Sequence, residues 1–486
     1  MKPNNLESSQ SDDVYTVFPK ASSPIQERFS MEDVIPPKHL NRTLVLCFDG
    51  TGDQFDSDNS NVVNFFATLK KDDPSEQLVY YQSGIGTYSV PDTVSPVSAR
   101  VSKIVDSMVG IHLKTHVQSG YEFLMQNYEI GDKICIFGFS RGAYTARALA
   151  GMIHKVGLLP RCNHQQVPFA YRMYSREDEL GWKQSAEFKR AFSIDVDIEL
   201  LGVWDTVSSV GIIPRRLPFT VSNTHVRHFR HALALDERRV RFIPSFWDHH
   251  QEPKGLLRGA MPHSSSHHKP HRGLSKSERE LHEKEQEYEE KTRSEMQDGY
   301  TETPTDIEEV WFAGGHGDVG GGNVLNEERH ALARIPLRWM IRQCFLLKTG
   351  ILFHRELLKK TGIDPASLWP HVQERPPQIT SIPSTLTEPS NEEEEDIRDA
   401  LSPTFDQLKI ARFWWILEYI PARLRYQTKD NNWKNSITVN RGRARYIPRQ
   451  HHAGFKVHRT VKLRMEDKNM GYQPKTHWTV DPTWVD

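Results

Sequence analysis

The sequence predicts an α/β fold in which a mostly parallel sheet carries helices on both faces. One observation is a recurring run of apolar, β-prone residues ending in turn signals: "TLVLCF" (43–48), "LVYYQSGIG" (78–86), "KICIFGFS" (133–140), "IELLGVWDTV" (198–207) and "EEVWFAGGHGDVGGG" (308–322). A second is that stretches with helical spacing separate these runs. They are "NVVNFFATL" (61–69) and the region 98–128, broken near Gly110, where Tyr121, Leu124 and Met125 recur at i, i+3 and i+4. Strands and helices in alternation build βα units around a sheet buried on both sides.

The chain divides by composition. Residues 1–40 are polar and interrupted by Pro19, Pro24, Pro36 and Pro37, which predicts a flexible N-terminal arm. The main domain spans 41–350 and is interrupted by an insertion over 261–300, "MPHSSSHHKPHRGLSKSERELHEKEQEYEEKTRSEMQ" at its heart, which reads as disordered or as a solvated helix. Residues 351–400 read as a linker containing the acidic run "TEPSNEEEEDIRD", and 401–486 as a C-terminal extension packed on the main domain. Within the extension, Phe413, Ile416, Leu417, Ile420 and Leu424 fall on one stripe of a predicted helix. His154, His228 and His231 are assigned to helical segments as packing or surface residues.

Composition narrows the function classes. Lys and Arg total 62 against 63 Asp and Glu, a formal charge of -1, so nothing draws the whole molecule to nucleic acid and no nucleic-acid partner is expected. Cys47, Cys135, Cys162 and Cys344 show no metal-ligand spacing, and His263, His267, His268 and His271 sit in the insertion without a ligand pattern; no metal and no cofactor are expected. The N-terminus has no apolar signal core, and no run reaches the ~18 apolar residues that span a bilayer. A cytoplasmic, reducing location is expected, with membrane contact limited to the periphery.

The chemistry concentrates at "GFSRG". Gly138-Phe139-Ser140-Arg141-Gly142 fits the G-x-S-x-G nucleophile elbow, preceded by a predicted strand and followed by an alanine-rich helix. The glycines allow a tight turn, and the helix N-terminus favours negative charge beside Ser140. A serine needs a base, and the base needs a group to fix its tautomer. Asp205, at the end of "IELLGVW", and His316, within the glycines of "AGGHGDVGGG", follow Ser140 in the order such hydrolases use. Asp318 is the rival acid, being two residues from the histidine. For the oxyanion, the backbone N–H of Arg141 is one expected donor, and that of Gly50 or Thr51 in "CFDGTG" is the other. Asp49 is expected to brace that loop.

With these motifs in view, the chain resembles the domain of unknown function family 2235, which includes the type VI secretion phospholipase effectors of the first lipase class. The resemblance rests on "FDGTG", "YYQSGIGT", "GFSRGAYTARALAG", "LLGVWDTVSSVG", "HALALDERR" (231–239), "WFAGGHGDVGGG" and "LARIPLRWM" (332–340), with the "WW" pair Trp414-Trp415 of fungal-type members. It implies an α/β-hydrolase fold, a triad of Ser140, Asp205 and His316, and esterase or phospholipase activity on a small-molecule or lipid ester. The family commonly has "HSDVGGG", and here Gly317 replaces that serine. Two other functions compete: a catalytically silent hydrolase-fold interaction protein, and a phosphatase of the haloacid dehalogenase type. "LVLCFDGTG" is similar to the opening of the latter, but Cys47 occupies the position of its nucleophilic aspartate.

Overall fold

The computed structural model describes residues 33–37, 41–84, 111–207, 216–248, 276–295, 304–378, 391–427, 433–451 and 453–486. Residues 1–32, the predicted strand end 85–86, the helical stretch 98–110 and residues 261–275 of the insertion lie outside the described residues. The strands are β1 (Val34–Ile35), β2 (Thr43–Phe48), β3 (Gln77–Gln82), β4 (Lys133–Phe139), β5 (Ile198–Trp204), β6 (Val226–Ala234), β7 (Asp306–Phe312), β8 (Phe353–His354), β9 (Ala422–Gln427), β10 (Trp433–Thr438), β11 (Lys456–His458) and β12 (Thr483–Val485). Eight of them form one sheet in the order β12-β11-β7-β6-β5-β4-β2-β3. Every neighbouring pair in it is parallel.

The continuous apolar strands follow from burial on two faces. In β2, Val45 and Cys47 enter one core with Phe65, Phe137, Trp204 and Met340, while Leu44, Leu46 and Phe48 enter the other with Tyr121, Leu124, Leu149 and Ile153. The helices Asn61–Thr68 and Arg334–Leu346 supply the first core; Ile111–Asn127 and Ser140–Val156 supply the second. Each large side chain so buried contributes about 1.5–3 kcal/mol. The chain passes from β2 to β3 on one side and places β4 on the other, so the strand order reverses between β2 and β4. At such a reversal the loops beyond the carboxyl ends separate and open a crevice.

Four expectations change. First, β6 is a strand, although His228 and His231 suggested helix; its polar side chains are satisfied laterally, Arg230 by Gln343 (2.7 Å) and Asp306 (2.6 Å), and His231 by Glu309 (2.9 Å). Second, the acidic run is no linker. Asn391 caps the helix Glu392–Ala400, whose buried Asp396 and Asp399 each lie 2.6 Å from Arg338, and whose Glu395 lies 2.6 Å from Arg329. Third, the charged insertion docks: Leu281 and Tyr288 of the helix Lys276–Glu295 pack with Trp182 and Phe219, and Tyr288 donates to the Lys155 carbonyl at 2.9 Å. Fourth, the aromatic stripe is not one helix. A short helix, Trp414–Glu418, stops before Pro421, and the antiparallel pair β9–β10 follows. Phe413 and Ile416 stay exposed while Trp414 is buried.

The chain ends also differ from simple appendages. Val34 and Ile35 pair with His354 and Phe353, so this part of the N-terminal arm is tied to the domain. β11 and β12 of the C-terminal extension continue the main sheet beyond β7.

Candidate active site

Ser140 follows β4 directly, as the first residue of the helix Ser140–Val156. Its φ of 58° is left-handed, a strained conformation for a residue with a side chain and one that concentrates at functional turns. The flanking glycines are required by contact. A Cβ on Gly138 would lie 2.6 Å from the Gly142 carbonyl oxygen, and one on Gly142 would lie 2.2 Å from that of Asp49. The end of β2 is thereby pressed against the start of the helix. The first N–H groups of a helix have no acceptor within it, and the Arg141 amide is one of these groups, directly after Ser140.

Asp205 follows β5 and is fully buried, with a φ of 40°. His316 follows β7 by four residues and begins the short helix His316–Gly320. The two meet: His316 Nδ1 lies 2.5 Å from Asp205 Oδ2. Because the carboxylate accepts from Nδ1–H, Nε2 is left as the basic nitrogen. The imidazole is brought to the elbow by Phe139, the residue before Ser140, whose ring centroid is 4.6 Å from that of His316. Phe139 is itself clamped between glycines, since a Cβ on Gly320 would fall 1.8 Å from its ring and one on Gly50 would fall 2.7 Å away. The hydrogen bonds of the described residues include none between Ser140 Oγ and His316. Such contacts are commonly loose without substrate.

Burial opposes charge on both partners. It holds His316 below the ordinary histidine range, although Asp205 pulls the other way, so the imidazole is neutral and able to accept a proton at pH 7. For Asp205 burial alone would raise the carboxyl, but Arg445 and His316 outweigh it and keep the group well below the usual carboxylate range. Asp205 Oδ1 also accepts from the Ala234 amide at 3.0 Å.

The remaining expected residues divide. Asp49 braces its loop, accepting from Ser60 (2.6 Å), Tyr81 (2.7 Å) and the Gly50 amide (2.8 Å). The Gly50 N–H is therefore occupied and is not an oxyanion donor; Thr51 is left as the candidate from this loop. Asp318 does not orient the imidazole. It accepts from the amides of Gly315 (2.8 Å) and Phe405 (3.0 Å) and from Asn323 (3.0 Å), so it shapes the loop that carries His316, and burial raises its carboxyl to about 6. Gly317 has a local reason as well: a Cβ there would lie 2.6 Å from the Asn323 amide group, which fills the position that a longer residue would need. Arg141 is buried beside Asp53; burial lowers its guanidinium to about 10, and Asp53 resists that fall. Cys47, the position equivalent to a phosphatase nucleophile, is wholly buried inside β2, and burial pushes its thiol up.

Several neighbours were not foreseen. Glu237 accepts from the His316 amide (3.2 Å) and pairs with Arg239 (2.8 Å). Arg239 lies 3.6 Å from the centre of the Phe242 ring, and that ring is 4.7 Å from His316. His231 accepts from the Thr206 amide at 3.1 Å and so anchors the turn after Asp205. Glu237, Arg239 and His231 all lie in "HALALDERR", a motif whose resemblance marked the segment without giving it a role. Arg445 carried no sequence signal at all.

Residues 42–343 match the family described as T6SS, phospholipase effector Tle1-like, catalytic domain. An uncharacterised protein of Saccharomyces cerevisiae, YEL023C, is 30% identical, the alignment covering 88% of this chain and 80% of that protein. Among solved structures, an uncharacterised protein from Pseudomonas aeruginosa aligns with a TM-score of 0.34 at 15% identity, covering 78% of this chain and 53% of that one. The Tle1 effector bound to the VgrG spike of the type 6 secretion system aligns with a TM-score of 0.27 at 15% identity, covering 59% of this chain and 52% of that one. The chain thus spans about half the length of these solved chains. The match over 42–343 contains the elbow, the buried acid and the histidine loop, and the chain belongs to the Tle1-like phospholipase effector catalytic domain family.

Proposed function

We propose that the chain hydrolyses carboxylic ester bonds of lipids, phospholipids in particular, with Ser140 as nucleophile, His316 as general base and Asp205 as the acid that holds the base. The observation that carries this reading is the 2.5 Å contact of His316 with Asp205 next to a serine at positive φ. Ser140 Oγ attacks the ester carbonyl while His316 Nε2 takes its proton. The amides of Arg141 and Thr51 face the developing oxyanion. Collapse breaks the C–O bond, the imidazolium protonates the leaving alcohol, and a water activated by the same nitrogen releases the acid and restores Ser140.

Lipid as the source of the ester is favoured by what surrounds His316. Phe242 touches it, Trp414 packs on Phe242 at 5.5 Å, and Phe413 stacks on Trp414 at 5.0 Å. Beyond them Ile416, Tyr419 and Ile420 are 68%, 60% and 45% exposed, a larger apolar surface than a solvated face needs. Exposed Lys409, Arg412 and Arg441 flank it. A face of this kind seats on the headgroup boundary of a bilayer. No helix among the described residues is long and apolar enough to cross a membrane, so this contact is peripheral.

The test compares wild type with Ser140→Ala on p-nitrophenyl butyrate and on phosphatidylcholine vesicles, with a fluorophosphonate probe for the nucleophile. Release of fatty acid and labelling at Ser140, both lost in the variant, are expected. Intact protein that turns over no ester and takes no label would instead make the chain a silent member of its fold.

A further inference from the structure

Arg445 lies in the C-terminal extension, 240 residues from Asp205 and beyond the stretch 42–343 that matches the family. Its side chain is only 5% exposed. A guanidinium has five N–H donors, and each has an acceptor. Nη1 donates to Asp205 Oδ1 (2.6 Å) and the Ala234 carbonyl (3.1 Å); Nη2 donates to Asp205 Oδ2 (2.8 Å) and the Phe242 carbonyl (2.5 Å); Nε donates to the Phe242 carbonyl (3.2 Å). The fork therefore fixes the plane of the carboxylate and shares Oδ2 with His316.

The segment that delivers Arg445 is held independently of it. Buried Glu418 accepts from the Val240 amide (2.6 Å), the Gly442 amide (2.9 Å) and Asn440 (2.7 Å). Asn440 also donates to the Arg238 carbonyl at 2.8 Å, and Ile447 enters the main core. The extension is thus pinned before Arg445 to the loop after β6 and after it to the main core.

We propose that Arg445 is a positioning residue: it keeps the Asp205 carboxylate ionised and oriented, and by sharing Oδ2 it limits how strongly that carboxylate draws a proton onto His316. This rests on the reading of Asp205 and His316 as acid and base. In the usual triad the carboxylate faces the imidazolium with no competing cation, and its whole charge stabilises the protonated base. Here a second cation takes part of that charge, so the imidazole stays neutral to lower pH. The other charged groups around the pair are Glu237, which accepts from the His316 amide, Arg239 beside Phe242, and His231 with Glu309 behind the turn after Asp205. Glu237 and Arg239 are paired with each other, so removal of Arg445 leaves Asp205 as the uncompensated charge.

The experiment uses the full chain in three forms, wild type, Arg445→Gln and Arg445→Lys, with histidine Cε1–H signals followed against pH and the His316 signal identified by its loss in His316→Asn. In Arg445→Gln the His316 midpoint should rise by about one pH unit or more. Arg445→Lys, which keeps the charge and loses the fork, should fall between the two. The acid limb of kcat/KM should move with these midpoints while KM changes little. If all three proteins give the same midpoint, the proposal is wrong, and any drop in activity then reflects folding alone. Should the glutamine variant not fold, the lysine variant decides by the same measurement. Absence of fluorophosphonate labelling at Ser140 in wild type would remove the catalytic reading, yet the His316 midpoint would still report on Arg445.

Discussion

Replacing Asp205 by asparagine removes one negative charge from a site where two cationic or proton-donating groups converge. Asparagine Oδ1 keeps the acceptor for the Ala234 amide. Its NH2 group, however, takes the place of Oδ2 and faces both Arg445 Nη2, now at 2.8 Å, and His316 Nδ1–H, now at 2.5 Å, so donor meets donor on each side. Two losses should follow from one substitution. On the His316 side, the imidazole loses its tautomer and its counter-charge, an effect worth about 10⁴ in kcat where it has been isolated in serine proteases. On the Arg445 side, a guanidinium that is 5% exposed loses the carboxylate it is paired with, while the nearby Glu237 is bonded to Arg239. Breaking a buried pair in this way costs about 3–5 kcal/mol. The assays are initial rates on p-nitrophenyl butyrate at pH 8 and urea unfolding of the same preparations. A variant within tenfold of wild type in kcat would refute Asp205 as the acid. A variant that loses activity but unfolds at the same urea concentration would refute the buried pairing with Arg445.

Glu237 should dominate part of the acid stability profile. Burial alone would raise it, but Arg239 and Arg445 bring it from 4.5 to about 2. A carboxylate lowered on folding stabilises the native state above its unfolded value and loses that contribution as pH falls through the folded one. The contribution, about 3 kcal/mol, is present above pH 4.5 and disappears towards pH 2; Glu237→Gln should flatten urea midpoints across that window, and an unchanged slope would count against the pairing. At the apolar face, Ile416→Asp should reduce hydrolysis of phosphatidylcholine vesicles tenfold or more and leave the soluble ester rate within a factor of two, because Ile416 is 68% exposed and touches no expected catalytic group. Equal losses on both substrates would show that the face is structural rather than interfacial.

The parts of this molecule that were legible in its sequence share one property: the physics that demands them acts within a few residues. The elbow was legible because its spacing is local, with Gly138 forbidden a Cβ by the Gly142 backbone four residues on, and the strands were legible because two-sided burial turns them into unbroken apolar runs. Even Asp205 and His316, which meet across the sheet, each announce themselves locally, one as an acid ending a buried strand and the other within glycines.

What was misread depends on partners far along the chain. The helix Glu392–Ala400 reads as a solvated linker because its carboxylates are satisfied by Arg329, Arg338 and Arg375, none of them near in sequence. β6 reads as helix at His228 and His231 because the groups that satisfy its polar side chains, Gln343, Asp306 and Glu309, lie far along the chain. Arg445 is the extreme case, one arginine among many in a basic stretch, 240 residues from the carboxylate it grips. Its burial also carries a consequence for how the chain must assemble. A carboxylate at the end of β5 is costly to bury alone, and the cation that offsets that cost arrives only with the C-terminal extension. A chain truncated after the matched region would leave Asp205 buried without Arg445 and would remove β11 and β12 from the sheet edge beside β7, so the buried carboxylate and the edge of the sheet depend on the same late segment.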